Sequence, residues 1–124
     1  MAHILVIDDD QSLLDMIRLM LRRAGHQSTL VDNVRDGIQH VIQDQPDLVI
    51  VDVLMPELNG FQVCRVLRKD PRTQHIPLMI LTALNEREQR ENAEDSGADA
   101  FVPKPVTLDI LTEEIDVLLN SRPR

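Results

Sequence analysis

The sequence predicts an α/β fold in which a parallel sheet of five strands carries helices on both faces. Its clearest signal is Leu48–Asp52, four β-forming residues that run into a carboxylate, bounded by Asp47 and Pro56. A continuous apolar run of this length is typical of a strand buried on both faces, as in parallel sheets covered by helices. Strand-like and helix-like segments alternate five times along the chain, which indicates right-handed βα units.

The first strand–helix unit opens the chain. His3 to Ile7 predicts a strand, and the apolar spacing from about Gln11 to Ala24 predicts a helix. Asp10 or Ser12 is suited to cap the start of that helix, because a short polar side chain can accept hydrogen bonds from its first amides. Gly25 is suited to end it.

The second unit is more polar. His26 to Val31 predicts a strand near a sheet edge, and Asn33 is placed to cap a helix that stops before Pro46. The elements predicted after the central strand are a helix from about Leu58 to Lys69, a strand Pro77–Leu81, a polar helix Asn85–Ser96, a short strand Asp99–Val102 and a helix from about Thr107 to Leu119. For five such strands, the flavodoxin-like order 2-1-3-4-5 is the leading arrangement.

Composition limits the classes of function. The 124 residues suit one domain, which we expect over 1–120, with 121–124 as a tail or the start of a linker. A net charge of −8, with no Trp or Tyr and two Phe, argues against direct nucleic-acid binding. The N-terminus does not resemble a signal peptide and no apolar run could span a membrane, so a membrane role is not expected. The single Cys64 fits a cytoplasmic protein.

Five chemically active side chains follow the predicted strands. Asp8 and Asp9 end the first strand, Asp52 ends the third, Thr82 the fourth and Lys104 the fifth. Taken singly, each could be a helix cap or a solvated side chain. Because parallel strands end at the same edge of a sheet, the set is expected to converge there.

The residue types of this set indicate phosphoryl chemistry. Clustered carboxylates repel one another, and a divalent cation relieves that repulsion. An oxygen-only site with few carboxylates suits Mg²⁺. A carboxylate beside such an ion can attack phosphorus, while an ammonium and a hydroxyl hold the phosphoryl oxygens.

In this ordered set the sequence resembles the receiver domain of bacterial two-component response regulators, of the chemotaxis-regulator type, from about Ile4 to Leu119. The matching residues are Asp8-Asp9-Asp10, Val51-Asp52, Met55-Pro56 with Gly60, Thr82-Ala83, and Phe101 with Lys104-Pro105.

The resemblance implies that Asp52 accepts a phosphoryl group from a phosphohistidine on a sensor histidine kinase or a phosphotransfer protein. It implies a Mg²⁺ ion, for which Mn²⁺ can substitute, held by Asp9, Asp52 and the main-chain carbonyl of Leu54, with Asp8 acting through a bound water. Lys104 would contact the phosphoryl group, aimed by a cis peptide bond before Pro105.

The resemblance also implies a conformational switch. Thr82 and Phe101 correspond to the switch pair, and the surface made by the fourth helix, fifth strand and fifth helix would change on phosphorylation to control a partner or an output domain. Apart from the resemblance, Ile110 and Val117 lie away from the inward stripe of the last helix, where they either form a homodimer face or are ordinary exposed apolar residues. Leu54 and Leu84 cannot orient an attacking water, so slow self-dephosphorylation is expected.

Two other functions remain open at this point. One is a Mg²⁺-dependent phosphatase, but its nucleophile would follow the first strand in an Asp-x-Asp-Gly-Thr context, whereas here Gln11 and Ser12 follow the acidic run. The other is an interaction module that no longer takes phosphate, which the complete acidic set disfavours. We expect no enzymatic activity beyond self-phosphotransfer and self-dephosphorylation.

Overall fold

The computed structural model describes residues 2–53, 55–83 and 95–120, and the predictions for Leu54, Leu84, most of the Asn85–Ser96 helix and the tail fall outside these ranges. Five strands and four helices are described. The strands are β1 (His3–Ile7), β2 (Gln27–Val31), β3 (Leu48–Asp52), β4 (Leu78–Thr82) and β5 (Ala100–Pro103). The helices are α1 (Gln11–Arg23), α2 (Val34–Asp44), α3 (Gly60–Lys69) and the C-terminal helix (Leu108–Asn120).

The strands form one parallel sheet in the order β2-β1-β3-β4-β5. This confirms the predicted order and places the polar β2 at an edge. The central β3 is buried at every position, as its apolar run predicts. Strand alternation divides the core in two: Ile4 and Val6 pack with α1 and the C-terminal helix, whereas Leu5 and Ile7 pack with α2 and α3.

Local capping residues set the helix starts. The Asp10 side chain accepts hydrogen bonds from the Ser12 and Leu13 amides, so Asp10, and not Ser12, caps α1. Asn33 caps α2 as predicted. Helix α3 begins at Gly60, two residues later than the predicted Leu58, because Asn59 and Gln62 form a reciprocal capping box there.

Arg68 ties the end of α3 to the beginnings of β4 and β5. Its guanidinium donates to the main-chain carbonyls of Gly97 (2.9 Å), Gln74 (2.8 Å) and Ile76 (2.7 Å) and pairs with the Asp99 carboxylate. Asp99 in turn accepts from the amide of Leu78 at 2.8 Å. Thr82 lies at the other end of β4, and Lys104 follows the other end of β5. The contacts of Arg68 therefore fix the positions of the two strands that present these residues.

Candidate functional site

The acidic residues meet where β1 and β3 end side by side. Ile7 lies opposite Val51 in the register, so the next residues along the two strands, Asp8 and Asp52, are neighbours. Carboxylate oxygens of Asp8, Asp9 and Asp52 lie within 4.8 Å of one another. Asp8 and Asp52 are buried and Asp9 is exposed, so the cluster opens to solvent on one side.

Lys104 follows the edge strand β5, and its side chain reaches the acidic cluster at the ends of β1 and β3. Its Nζ lies 2.8 Å from Asp52 Oδ1 and 3.7 Å from Asp8 Oδ2. Its main-chain amide donates to the carbonyl of Thr82 at 2.7 Å, which fixes the residue directly beyond β5. The peptide bond to Pro105 is cis, as the resemblance implies.

Asp8 is the buried member whose hydrogen bonding is incomplete. Its Oδ1 accepts from the amide of Asp10 at 2.9 Å, whereas its Oδ2 has no hydrogen-bond partner among residues 2–53, 55–83 and 95–120. Burial raises the pKa of this carboxyl from 3.8 to about 6, with a further upward contribution from Asp52, while the Asp10 amide and Lys104 oppose the shift. A buried carboxylate oxygen that accepts no hydrogen bond from the described residues, beside two more carboxylates, suits an Mg²⁺ ion, whose preferred ligands are oxygens.

Thr82 and Phe101 share one face of neighbouring strands. Ile80 lies opposite Phe101 and Thr82 opposite Pro103, so side chains of the four residues point to the same side of the sheet. Thr82 is fully buried at the end of β4, and Phe101 is half-buried against the core beside α3. The structure thus brings the two predicted switch residues to adjacent strands on one face.

Gly60 shapes the loop behind Asp52 in a way that the sequence did not reveal. A Cβ added to Gly60 would overlap the main-chain carbonyl oxygen of Asp52. The Gly60 amide also donates to the carbonyl of Val53 at 3.0 Å, closing the loop that starts after β3. Gly60 is the first residue of α3, and its close approach to β3 is what excludes a side chain here. Leu54, the remaining predicted metal ligand, lies outside the described residues.

The family model for the response regulator receiver domain matches residues 4–116 of this chain. The chain belongs to that family. Receiver domains bind Mg²⁺ at an acidic cluster, and Asp8, Asp9 and Asp52 form such a group. Receiver domains also interact with histidine kinases and phosphotransfer proteins. Among the described residues, no helix is long and apolar enough to span a membrane.

Curated relatives of this receiver domain differ in length. Protein PilH of Pseudomonas aeruginosa is 36% identical over 96% of the chain and 98% of its own length. The DNA-binding dual master transcriptional regulator RpaA of Synechocystis is 37% identical over the whole chain, which spans 52% of that protein. Several other relatives are also spanned only to about half of their length.

Solved receiver structures have the same fold. The signal receiver domain of a signal transduction histidine kinase from Syntrophus aciditrophicus superposes with a TM-score of 0.90 at 31% identity, covering 100% of this chain and 96% of that one. The response regulator receiver domain protein from Clostridium thermocellum gives 0.89 at 30% identity, covering 97% and 95%.

Replacing Asp8 with asparagine is expected to stabilise the receiver domain in the absence of divalent ions. The raised pKa means that the charged Asp8 costs free energy in the folded state, and two pKa units correspond to at most about 3 kcal/mol. Asparagine keeps the Oδ1 acceptor for the Asp10 amide. We therefore expect an increase of about 1–2 kcal/mol in the free energy of unfolding at pH 7, measured by urea denaturation.

The pH dependence checks the cause of that stabilisation. Because the folded-state pKa of Asp8 is raised, folding takes up a proton between about pH 4 and 6, and the parent loses stability as pH rises through this window. The difference between Asp8→Asn and the parent should therefore vanish near pH 4 and grow toward pH 7. A constant difference would contradict the assignment. Saturating Mg²⁺ should reduce the difference in the free energy of unfolding between Asp8→Asn and the parent, because the ion binds the parent more strongly than the variant and so stabilises it more.

Proposed function

We propose that this receiver domain is phosphorylated on Asp52 by the phosphohistidine of a sensor histidine kinase or a phosphotransfer protein. The observation that carries the proposal is the Lys104 ammonium 2.8 Å from Asp52 Oδ1, within a cluster that includes Asp8 and Asp9. The burial of Asp52 alone accounts for one cationic partner, but not for two further carboxylates beside it. A carboxylate that is to hold a phosphoryl group needs cationic groups around it.

The chemical step is a transfer between two carriers. A carboxylate oxygen of Asp52 attacks the phosphorus, the P–N bond of the phosphohistidine breaks, and the imidazole nitrogen keeps the electron pair and takes up a proton. Lys104 is placed to neutralise charge on one phosphoryl oxygen, and the Thr82 hydroxyl is suited to hold another. Both act by position and charge, since phosphoryl transfer demands little else of a protein.

Asp8, Asp9 and Asp52 would hold the Mg²⁺ ion, with the carbonyl of Leu54 as a further ligand and Mn²⁺ as a substitute. When bound, the ion neutralises negative charge on the phosphoryl group. The buried Asp8 Oδ2, to which no residue in the described part of the chain donates a hydrogen bond, supports this donor set.

Phosphorylation would bias a two-state switch through Thr82 and Phe101. Drawing the Thr82 side chain toward the phosphoryl group opens space on the face that it shares with Phe101, and the ring can turn inward. The surface formed by β5 and the C-terminal helix would then favour a different partner. The helix predicted at Asn85–Ser96, which the resemblance assigns to the same surface, lies mostly outside the described residues. Ile110 and Val117 on that helix are 48% and 56% exposed and suit a homodimer contact on phosphorylation.

Thr82→Ala should leave Asp52 phosphorylatable and weaken phosphorylation-dependent association by at least about fivefold, the lower end of typical coupling energies. The physical reason is that alanine offers the phosphoryl group no hydroxyl to attract. Dimerisation in beryllium fluoride and Mg²⁺, measured by sedimentation velocity, provides the readout. Thr82→Ser is the matched control, because it keeps the hydroxyl and should retain association. Equal association of the alanine variant and the parent would contradict the switch assignment.

Incubation with phosphoramidate and Mg²⁺, followed by intact-mass measurement, tests the proposed function. One stable phosphoryl adduct per chain supports a phosphorylatable receiver. Continuous release of phosphate from the donor, in excess of protein, would instead indicate the phosphatase function. No adduct in Mg²⁺ would indicate an interaction module.

The adduct is expected to be long-lived, because the side chains of Leu54 and Leu84 cannot align a water molecule by hydrogen bonding. We therefore propose self-phosphotransfer and slow self-dephosphorylation as the only chemical activities, in a cytoplasmic signalling protein. Loss of the adduct within seconds of donor removal would contradict the slow step. The output is either a separate partner or a further domain, and a DNA-binding output such as the name of the Synechocystis relative indicates is one such case.

A further inference from the structure

A cavity of about 650 Å³ lies at the β2 edge of the sheet, at the opposite end from the acidic cluster. It is lined from the starts of β1 and β2 and from the second half of α1. Its polar lining residues are His3, Arg18, Arg22, His26, Gln27, Ser28 and Thr29. The volume falls within the range of about 300–1,000 Å³ typical of small-molecule sites. We call it the β2-edge cavity.

The charge of the β2-edge cavity is opposite to that of the chain. The whole sequence has 21 acidic and 13 basic residues and a net charge of −8. None of the described residues that line this cavity is acidic, and two are arginines. A cation-only cavity in an acidic protein favours an anionic ligand over a cationic or neutral one.

Arg18 and Arg22 form the cationic wall. They are four residues apart in α1 and therefore lie one turn apart on the same side of the helix. Neither guanidinium makes a hydrogen bond or ion pair with any residue in the described parts of the chain, although each has five N–H donors. Two adjacent guanidinium forks suit the oxygens of phosphate groups.

Ser28 and His26 supply neutral donors on the same side of β2. Ser28 lies opposite Ile4, which packs in the core beneath α1, so the Ser28 side chain faces α1 and its arginines. His26 Nδ1 accepts from the amide of Ala2 at 3.2 Å, which places the proton of the neutral ring on Nε2. His26 therefore offers an Nε2–H donor to a ligand.

The other face of the β2 edge is closed by a pair of side chains. His3 Nε2 and Thr29 Oγ1 lie 2.7 Å apart and satisfy each other. Apart from the exposed Gln27, the donors left for a ligand are thus those on the α1 side. The preference of helix C-termini for basic residues accounts for Arg22, but Arg18 lies a full turn earlier.

We propose that the β2-edge cavity binds a small molecule that carries a pyrophosphate group. Arg18 and Arg22 hold the phosphate oxygens, and Ser28 and His26 donate hydrogen bonds to them. The two phosphates of a pyrophosphate group offer each guanidinium fork its own set of oxygens. The site is independent of the phosphoryl acceptor, because it lies at the opposite end of the sheet and shares no residue with that site.

The test is calorimetric titration of inorganic pyrophosphate into protein dialysed free of divalent ions, at physiological ionic strength. Without divalent ions the carboxylates of the acidic cluster repel the probe, which keeps it from that site. We expect one saturable site with a Kd of about 1 mM or tighter. Arg18→Gln/Arg22→Gln should weaken binding at least tenfold, whereas Arg35→Gln, an exposed arginine on α2, should leave the Kd within twofold. The lack of saturable binding by the parent would overturn the proposal.

Amide chemical shifts locate the probe and exclude an indirect effect. Pyrophosphate should shift the signals of Ser28 and Thr29, and shifts centred on Lys104 or Asp52 would overturn the proposal. Thermal unfolding without ligand verifies that the glutamine double variant is folded, and Arg18→Lys/Arg22→Lys provides a second variant that retains the charge. An equal loss of pyrophosphate affinity in Arg35→Gln and in the double variant would show a non-specific effect of net charge and would overturn the proposal. Tighter binding of ADP than of pyrophosphate would identify a nucleotide ligand, and equal binding the inorganic ion, each supporting the pyrophosphate group as the recognised element.

Discussion

Asp52→Asn is expected to abolish the phosphoryl adduct that phosphoramidate and Mg²⁺ produce on the parent. An amide oxygen is a far weaker nucleophile than a carboxylate, and the other acids of the cluster do not carry the ammonium contact of 2.8 Å that Asp52 has with Lys104. Intact mass after a fixed incubation should show full occupancy for the parent and none for the variant. The variant is therefore expected to lose labelling completely, whereas substitutions elsewhere in the chain are expected at most to slow it.

The matched control for this charge change is Asp109→Asn. Asp109 is an exposed acid in the first turn of the C-terminal helix and is not a member of the acidic cluster. It should be labelled like the parent. Asp52→Asn should remain folded, since it keeps an oxygen for Lys104 and removes one charge from a repulsive cluster. An Asp52→Asn protein that takes up the label as the parent does would place the acceptor elsewhere and refute the proposed function.

Gly60→Ala is expected to damage both stability and phosphorylation. The new methyl group would overlap the main-chain carbonyl of Asp52, and a β3 that is buried along its whole length cannot move away at low cost. We expect a loss of about 2–3 kcal/mol in the free energy of unfolding, measured in urea. Because the displaced carbonyl belongs to the acceptor itself, the initial rate of labelling should also fall at least about tenfold.

Gly25→Ala separates crowding from backbone strain. Gly25 has a φ of +87° and no atom within 4 Å of an added Cβ, so the substitution costs strain of about 1 kcal/mol without any overlap. Gly25 follows α1, away from Asp52, so the labelling rate should not change. If the two alanine variants lost equal stability and were labelled equally, contact between Gly60 and Asp52 would not be the cause.

Parallel strands could be predicted from the alternation of elements, and the order 2-1-3-4-5 was the leading arrangement for five of them. Once the strands are parallel and β1 neighbours β3, Asp8 and Asp52 must meet. Asn33 could be assigned as a cap from residue type alone, whereas residue type left Asp10 and Ser12 as alternatives for α1. The start of α3 was wrong by two residues, although the Asn59 and Gln62 spacing of its capping box was visible in the sequence.

Contacts between distant segments could not be predicted in the same way. Nothing in the periodicity around Arg68 indicates that it would bond three main-chain carbonyls and Asp99. The tight approach of Gly60 to Asp52 depends on the path of the loop between them. The β2-edge cavity requires α1 and β2 to be placed side by side, and a linear sequence shows only scattered arginines and histidines.

The three consecutive acids after β1 have different surroundings and different structural roles. Asp8 is enclosed, Asp9 is open to water, and Asp10 caps α1 while its amide donates to Asp8. Deleting any one of them still leaves two consecutive aspartates in the sequence. The connection between β1 and α1 would nevertheless be one residue shorter. The remaining acids could then not occupy the buried, the exposed and the capping positions all at once. Length in this run should therefore be less tolerant of change than the identity of its residues.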